Sequence, residues 1–375
     1  MLRNAHWDAA IVGGGPAGSA AACRLARAGK KVLLIEKEKY PHHKVCGEFL
    51  SFEAQRYLFE LDVDAVGLGA TLLRSVRLHY GRCAAHACLP FTGLGLSRFL
   101  LDEQLLARAA DHGAQVRRGC KVTRIAPAGG RWRLEAVGLD AIETDAVFLA
   151  TGKHELRGRK RPTGAQNGFI GLKMHFMSTA RQRRALADRV DIILFDGGYA
   201  GLQLIEDGKA NLCLVVTKRR FAQIGKDWRR LLAYIARACP YLHDFLDRAT
   251  PCWRQPAAIA ALPYGFVHAD SGARADGIYR LGDQFAVIPS FSGEGVSIAL
   301  HTARLAADEF IAGGQRASAF HERARAELYP QIHMASLLGR ALERPAVQGL
   351  GIAACRLFPA LVSGVAARTR LRAFA

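Results

Sequence analysis

An α/β fold whose two domains share the chain in alternating pieces is predicted by three observations in the 375-residue sequence. The run from Asp8 to Gly18 reads as a strand, a glycine turn and the start of a helix, and the apolar run Val32-Leu33-Leu34-Ile35 closes in Glu36. Two later stretches, 96–149 and 278–311, return to the same strand and helix patterning. The insertions between these pieces, 75–89 and 171–216, alternate apolar and polar residues as strands do.

The first unit has a physical reading. A helix is expected over 19–28, stopped by Gly29. In the turn, Gly13 permits the tight reversal, Gly15 lets backbone N–H groups approach a pyrophosphate, and Gly18 lets the helix lie close on the strand. The positive helix end then faces the phosphates, and Glu36 is placed to accept hydrogen bonds from two ribose hydroxyls. A Rossmann-like dinucleotide site follows from this spacing. Next, Ser97 caps a helix over 98–112, residues 115–124 alternate as one strand, and 131–137 pairs with 143–150 as a hairpin. The last piece is a strand at 278–281, then Gly282-Asp283, and a helix over 296–311 opened by Ser292-Gly293-Glu294-Gly295. A helix is expected near 228–237. The resulting division assigns 1–74, 96–152 and 270–313 to the nucleotide domain, 75–95 and 153–269 to a substrate domain, and 314–375 to a helical cap.

Composition narrows the function classes. Half of the residues are hydrophobic, which supports a large folded core. The net charge of +19 is scattered, without the basic runs interleaved with aromatics that nucleic-acid readers use, so no nucleic acid is expected as partner. Nine cysteines without a CxxC pair point to a reducing compartment and a cytoplasmic location, with no structural metal. The first apolar segment is already the nucleotide-binding strand, so no signal peptide is expected.

Four pieces, Gly13-Gly14-Gly15-Pro16-Ala17-Gly18 with Glu36, Arg98 at a helix head, Ala150-Thr151-Gly152 at a strand end, and the run 281–295 before a helix, together resemble one family. They are similar to the FAD-dependent oxidoreductases of the p-hydroxybenzoate hydroxylase fold, in their geranylgeranyl reductase-like and flavin monooxygenase-like branch. The resemblance implies a Rossmann-like FAD domain of the GR2 type interwoven with a β-sheet substrate domain and followed by C-terminal helices. It implies that Arg98 meets the pyrophosphate, that backbone at Val122 meets the adenine, and that Asp283 bonds the ribityl or pyrophosphate oxygens. Pro289 then lies beside the isoalloxazine, with the Gly293, Glu294 and Gly295 amides at its N1/O2 edge. A helix N-terminus suits the negative charge that reduced flavin carries there. The implied FAD set also includes Pro16, Ala17, Lys37, Lys44, Cys46, Thr151, Gly152, Gly282 and Val296.

The candidate chemical groups are fewer. The family places the Lys44-Val45-Cys46-Gly47-Glu48 loop along the flavin, so Cys46 either faces the ring or substrate, or packs beneath the ring as a small apolar side chain. Glu48 and Glu294 are the nearest carboxylates, read either as proton carriers or, with more weight, as exposed or capping groups. Lys173 and His175 alternate on one strand face, where His175 is either an acid–base group or a packing residue. Tyr199 and Gln203 belong to a strand that resembles the family's cavity-lining aromatic motif, with Gly201 where tryptophan is usual. Monooxygenases with an aromatic substrate usually carry a Gly-Ala-Asp-Gly element after this strand, where this chain has Ala150-Thr151-Gly152-Lys153-His154-Glu155-Leu156-Arg157-Gly158, and no second GxGxxG exists, so NADPH or NADH is expected only as a transient donor.

The expected function is therefore FAD-dependent oxidation of a hydrophobic small molecule, first as a monooxygenase of natural-product metabolism working through a flavin C4a-hydroperoxide. The alternative is a geranylgeranyl reductase-like enzyme that saturates C=C bonds; a halogenase or a non-catalytic FAD- or lipid-binding protein comes third. The apolar tail 347–367, broken by Arg356 and Pro359 and followed by Arg368, Arg370 and Arg372, is read as a cap on the substrate cavity or as an interfacial membrane contact. The oligomeric state has no sequence signal.

Overall fold

A computed structural model describes residues 6–161, 168–260, 262–269, 277–313 and 316–371. The chain begins with β1 (His6–Val12), α1 (Pro16–Arg27) and β2 (Val32–Glu36), then departs through β3 (Phe49–Leu50), α2 (Phe52–Glu60), β4 (Thr71–Tyr80) and β5 (Cys83–Gly95). It returns as α3 (Arg98–Asp111), β6 (Gln115–Arg118), β7 (Val122–Ala128), β8 (Arg131–Ala136) and β9 (Ile142–Leu149). A second excursion contains β10 (Phe169–Met177), α4 (Ala180–Leu186), β11 (Asp188–Phe195), β12 (Gly198–Leu204) and β13 (Lys209–Thr217). It continues through α5 (Lys218–Gln223), α6 (Trp228–Ala238), α7 (Pro240–Leu246), β14 (Thr250–Pro251) and β15 (Ala257–Ala260). The chain closes with β16 (Ile278–Arg280), α8 (Gly295–Ile311), α9 (Ala317–Leu342), α10 (Pro345–Leu357) and α11 (Ala360–Arg368).

Two sheets result. The first runs β6-β2-β1-β9-β8-β7, with β16 added in parallel beside β9. Its parallel centre is largely apolar: all five residues of β2, Val32 to Ile35 and the closing Glu36, are buried, as expected for strands covered on both faces. One face is covered by α1, α3 and α8, the other by a cluster around Trp7, Trp132 and Leu134. The second sheet runs β14-β10-β13-β12-β11-β4-β5-β3, with β15 beside β10. Helices α6 and α7 cover one of its faces through Leu231, Ile235, Leu242 and Phe245, against Leu172, Met174, Leu202, Leu212 and Leu214.

Two local expectations are corrected. The first helix starts at Pro16, not at 19, because proline at N1 needs no N–H partner and its fixed φ suits the first turn. The expected strand 115–124 is two strands, broken at Gly119, which adopts φ +72°. The parts of the expected 270–313 and 314–375 pieces at 270–276, 314–315 and 372–375, including Arg372, lie outside the described residues.

Candidate functional site

The glycine turn places the end of β1 against the end of β9. Gly13 has φ +110°, and a side chain there would strike the Ala150 carbonyl; a side chain on Gly18 would strike the Gly13 carbonyl. Gly15, by contrast, has only the Arg98 guanidinium near its open side, 3.4 Å from where a Cβ would stand. The N-terminus of α1 has no side-chain cap, so its first amides point outward unpaired by the chain's own groups. Ala17 packs beneath Gly282, whose N–H donates to Thr302 Oγ1 at 2.9 Å. Glu36 is buried at the end of β2 and accepts from the Gly14 N–H at 2.6 Å. With Gly14, His42, Lys44 and Arg98 it lines a narrow polar cleft.

Arg98 forms two bonds to Asp102, at 2.6 and 2.9 Å, and Lys44 joins the same carboxylate at 2.9 Å. Burial alone would push Asp102 up, but Arg98 and Lys44 hold it below the usual carboxylate range. Val122 is buried at the start of β7, just after Cys120, whose N–H donates to the Glu36 carbonyl at 3.0 Å. Lys37 is exposed, 3.5 Å from Glu38. Thr151 Oγ1 donates to the His154 carbonyl at 2.8 Å, and the Gly152 carbonyl accepts from Gln284 at 2.7 Å. Lys153 pairs with Asp283 at 2.8 Å, which ties the end of β9 to the turn after β16.

Where α8 begins, Gly295 has open space around it, Val296 is buried, and no side chain caps the helix. Both helix N-termini therefore lack a side-chain cap, that of α1 next to the polar cleft and that of α8 shortly after Pro289 in the chain. An elongated, doubly charged cofactor with a reducible anionic end fits these features: α1, Arg98 and Glu36 would hold the FAD pyrophosphate and ribose, and α8 the N1/O2 edge.

Pro289 also lines a separate apolar recess, together with Phe169, Tyr199, Tyr264, Phe291 and Leu342. The Tyr199 hydroxyl lies 2.5 Å from Ser290 Oγ, and the Tyr264 hydroxyl 2.9 Å from the same atom. Burial raises the Tyr199 hydroxyl to about 12.

The second sheet presents a polar face to the 44–48 loop. In β10, β13 and β12, Lys173 pairs with Cys213 and Cys213 with Gly201; His175 pairs with Asn211 and Asn211 with Gln203. By strand alternation these residues share one face, opposite the leucines under α6 and α7. Asn211 donates to the Cys46 carbonyl at 3.2 Å and the Gly47 carbonyl at 2.8 Å, and Gln203 to the Glu48 carbonyl at 3.0 Å. The Glu48 carboxylate is ion-paired to Lys173 Nζ, lies 2.6 Å from His175 Nε2 and accepts from the Arg98 N–H at 2.8 Å. Burial pushes Glu48 up, but Lys173 and His175 more than offset it and hold the group ionised. Glu48 also has φ +58°, a left-handed conformation rare outside glycine, and these bonds keep it there. Cys46 is half-buried, its Sγ 3.3 Å from the Glu48 N–H.

The expectation that Glu48 and Glu294 are exposed or capping is corrected: they are 1% and 0% exposed. Glu294 turns inward beneath α8, with Oε2 3.5 Å from Ser51 Oγ and Oε1 without a hydrogen-bond partner among the described residues. Burial, and then the nearby Glu53, raise its carboxyl to about 8. His43 was not singled out in the sequence. It stacks 4.2 Å from Trp253 and 5.0 Å from Phe99, edge-on to His175, and burial lowers it to about 4. Its position after a strand carried no periodic signal. The Glu48 ion pair joins residues 125 apart, so spacing could not reveal it.

The sequence pattern of the pyridine nucleotide-disulphide oxidoreductases matches residues 7–207, more than half of the chain. The chain belongs to this family. This oxidoreductase is a flavin-binding enzyme. It is 27% identical to a menaquinone reductase of Mycolicibacterium smegmatis over 335 residues, covering 83% of this chain and 78% of that protein. It is 28% identical to a digeranylgeranylglycerophospholipid reductase of Methanoculleus marisnigri over 320 residues, 80% of this chain and 76% of that protein. The oxidoreductase shares its fold with the flavin-dependent brominase Bmp2, at a TM-score of 0.82 and 19% identity over 99% of this chain and 95% of that one.

Proposed function

We propose that this oxidoreductase reduces carbon–carbon double bonds in a lipid that carries a polyisoprenoid chain, with FAD as its cofactor and a transiently bound NADPH or NADH as electron source. The observation that carries the reading is the Cys46–Glu48 loop seated on the polar face of the second sheet, where a thiol and three buried ionisable side chains stand together. Menaquinones and digeranylgeranylglycerophospholipids both contain polyisoprenoid chains, and the relatives named for them match along four fifths of the sequence.

Bound, reduced flavin supplies a hydride to one alkene carbon; the second hydrogen must reach the other carbon as a proton. Cys46 is the group in the loop with a half-exposed proton-bearing atom, and we assign it that delivery. Glu48, Lys173 and His175 act behind it by fixing the loop, and the aromatic recess excludes water from the acceptor. Lys173, His175 and Gln203 hold the loop rather than line open space, while Tyr199 faces the recess.

The recess itself favours a second reading, since four aromatic rings fit a planar aromatic substrate into which oxygen is inserted. One experiment separates the two. Flavin-loaded protein is reduced without oxygen and mixed with menaquinone or a geranylgeranyl lipid, and the product is weighed by mass spectrometry. Gain of two hydrogens per double bond is expected, and Cys46→Ser should slow it on the order of 10²- to 10⁴-fold while leaving flavin reduction unchanged. Product formed only after oxygen is admitted, and heavier by one oxygen atom, overturns the reductase in favour of the oxygenase.

A further inference from the structure

The C-terminal elbow is apolar on a side that nothing among the described residues covers. Helices α10 and α11 meet at 113° and pack on β4 and β5. The inner side of α10 is fixed by Ile352, which is buried, and by Gln348, which donates to the Phe195 carbonyl at 3.2 Å and the Leu342 carbonyl at 2.7 Å. In α11, Ser363 donates to the Cys88 carbonyl at 2.8 Å. The opposite side carries Leu350, Leu357 and Phe358, which are 73%, 75% and 64% exposed, with Leu361 and Val365 continuing it. Leu350 and Leu357 are seven residues apart, and Leu361 and Val365 four, so each pair shares one helix face.

The charge on this surface is predominantly positive. Arg344, Arg356 and Arg368 are exposed on its rim, and no aspartate or glutamate occurs from 344 to the last residue. The 113° bend and the anchored inner side fit helices lying on a bilayer rather than crossing it; among the described residues no single helix is long and apolar enough to cross. A second copy docked by the same face about a two-fold axis would bring arginine rim against arginine rim. We propose that the elbow is an interfacial docking surface for an anionic lipid bilayer, its leucines and Phe358 entering the headgroup boundary while the arginines meet lipid phosphates. The elbow follows directly on Leu342, which lines the aromatic recess, so docking sets the recess next to the membrane surface. The proposal rests on this surface and not on the reaction assigned above.

The test is flotation of purified flavin-loaded protein with vesicles of phosphatidylglycerol and phosphatidylcholine in equal parts, and with phosphatidylcholine alone. The protein should float with the anionic vesicles and be released by salt. The double variant Leu357→Ser, Phe358→Ser should lose about tenfold or more in partitioning, and Arg356→Gln, Arg368→Gln should lose the anionic preference, with melting temperatures unchanged. Wild-type protein that stays unbound at low salt, variants that float as well as wild type, or equal binding to neutral vesicles would overturn it. A dimer in solution that Leu357→Ser, Phe358→Ser dissociates, without vesicle binding, assigns the surface to a second copy and overturns it as well.

Discussion

Glu48 and Glu294 are both cut off from solvent, yet their surroundings push their carboxyl groups in opposite directions. Glu48 is ion-paired to Lys173 and hydrogen-bonded to His175 and stays ionised; Glu294 has the negative Glu53 nearby, and burial holds its proton to about 8. For Glu48 the consequence is a dependence on charge balance. Glu48→Gln leaves Lys173 buried without a counter-charge and should cost about 3 to 5 kcal/mol in denaturant unfolding. Adding Lys173→Met should recover much of that loss; a double variant no more stable than Glu48→Gln would show that the pair is not the source. For Glu294 the consequence is a pH dependence. The folded state binds its proton more tightly than the unfolded chain, so the contribution is full at low pH. It is lost as pH rises from about 4.5 through about 8. Glu294→Gln should therefore unfold less readily than wild type at the alkaline end, by on the order of a few kcal/mol, and match it at the acid end. Parallel stability curves for the two proteins across that range would place the titration elsewhere.

At the scale of single elements, the glycine turn separates two roles that the spacing presents as one. A side chain on Gly18 collides with the Gly13 carbonyl inside the protein, whereas one on Gly15 finds only the movable end of Arg98. Gly18→Ala should lower the melting temperature of the flavin-free protein. Gly15→Ala should melt like wild type and fail chiefly in flavin retention, read as the flavin-to-protein absorbance ratio. Equal melting temperatures for the two flavin-free variants would refute the distinction. The turn was legible in the sequence because its contacts are local: Gly13, Gly15, Gly18 and Glu36 lie in one strand–helix–strand unit. Lys173 and His175 were legible as a shared strand face for the same reason, since alternation is a local property. What they bind was not, because Glu48 reaches them from a loop whose unusual φ is fixed by partners in β10, β12 and α3. Burial of Glu48 and Glu294 was misread on the general rule that carboxylates are surface groups.

At the scale of the molecule, the weave of the chain was readable from the return of apolar strand patterns after each insertion, and the two sheets follow it. The elbow at the C-terminus was legible as an apolar segment flanked by arginines; which side faces out depends on contacts with β4 and β5 that no helical periodicity reveals. The weave bears on how the protein is made. Strand β16, which joins the first sheet beside β9, and α8, which packs on α1, come after residue 277, while the opening glycine turn is finished by residue 18. During synthesis the first half of the cofactor cradle must wait, with α1 lacking the α8 surface that covers it, until more than three quarters of the chain has left the ribosome. The face of α1 that packs against α8 is therefore closed only late in synthesis.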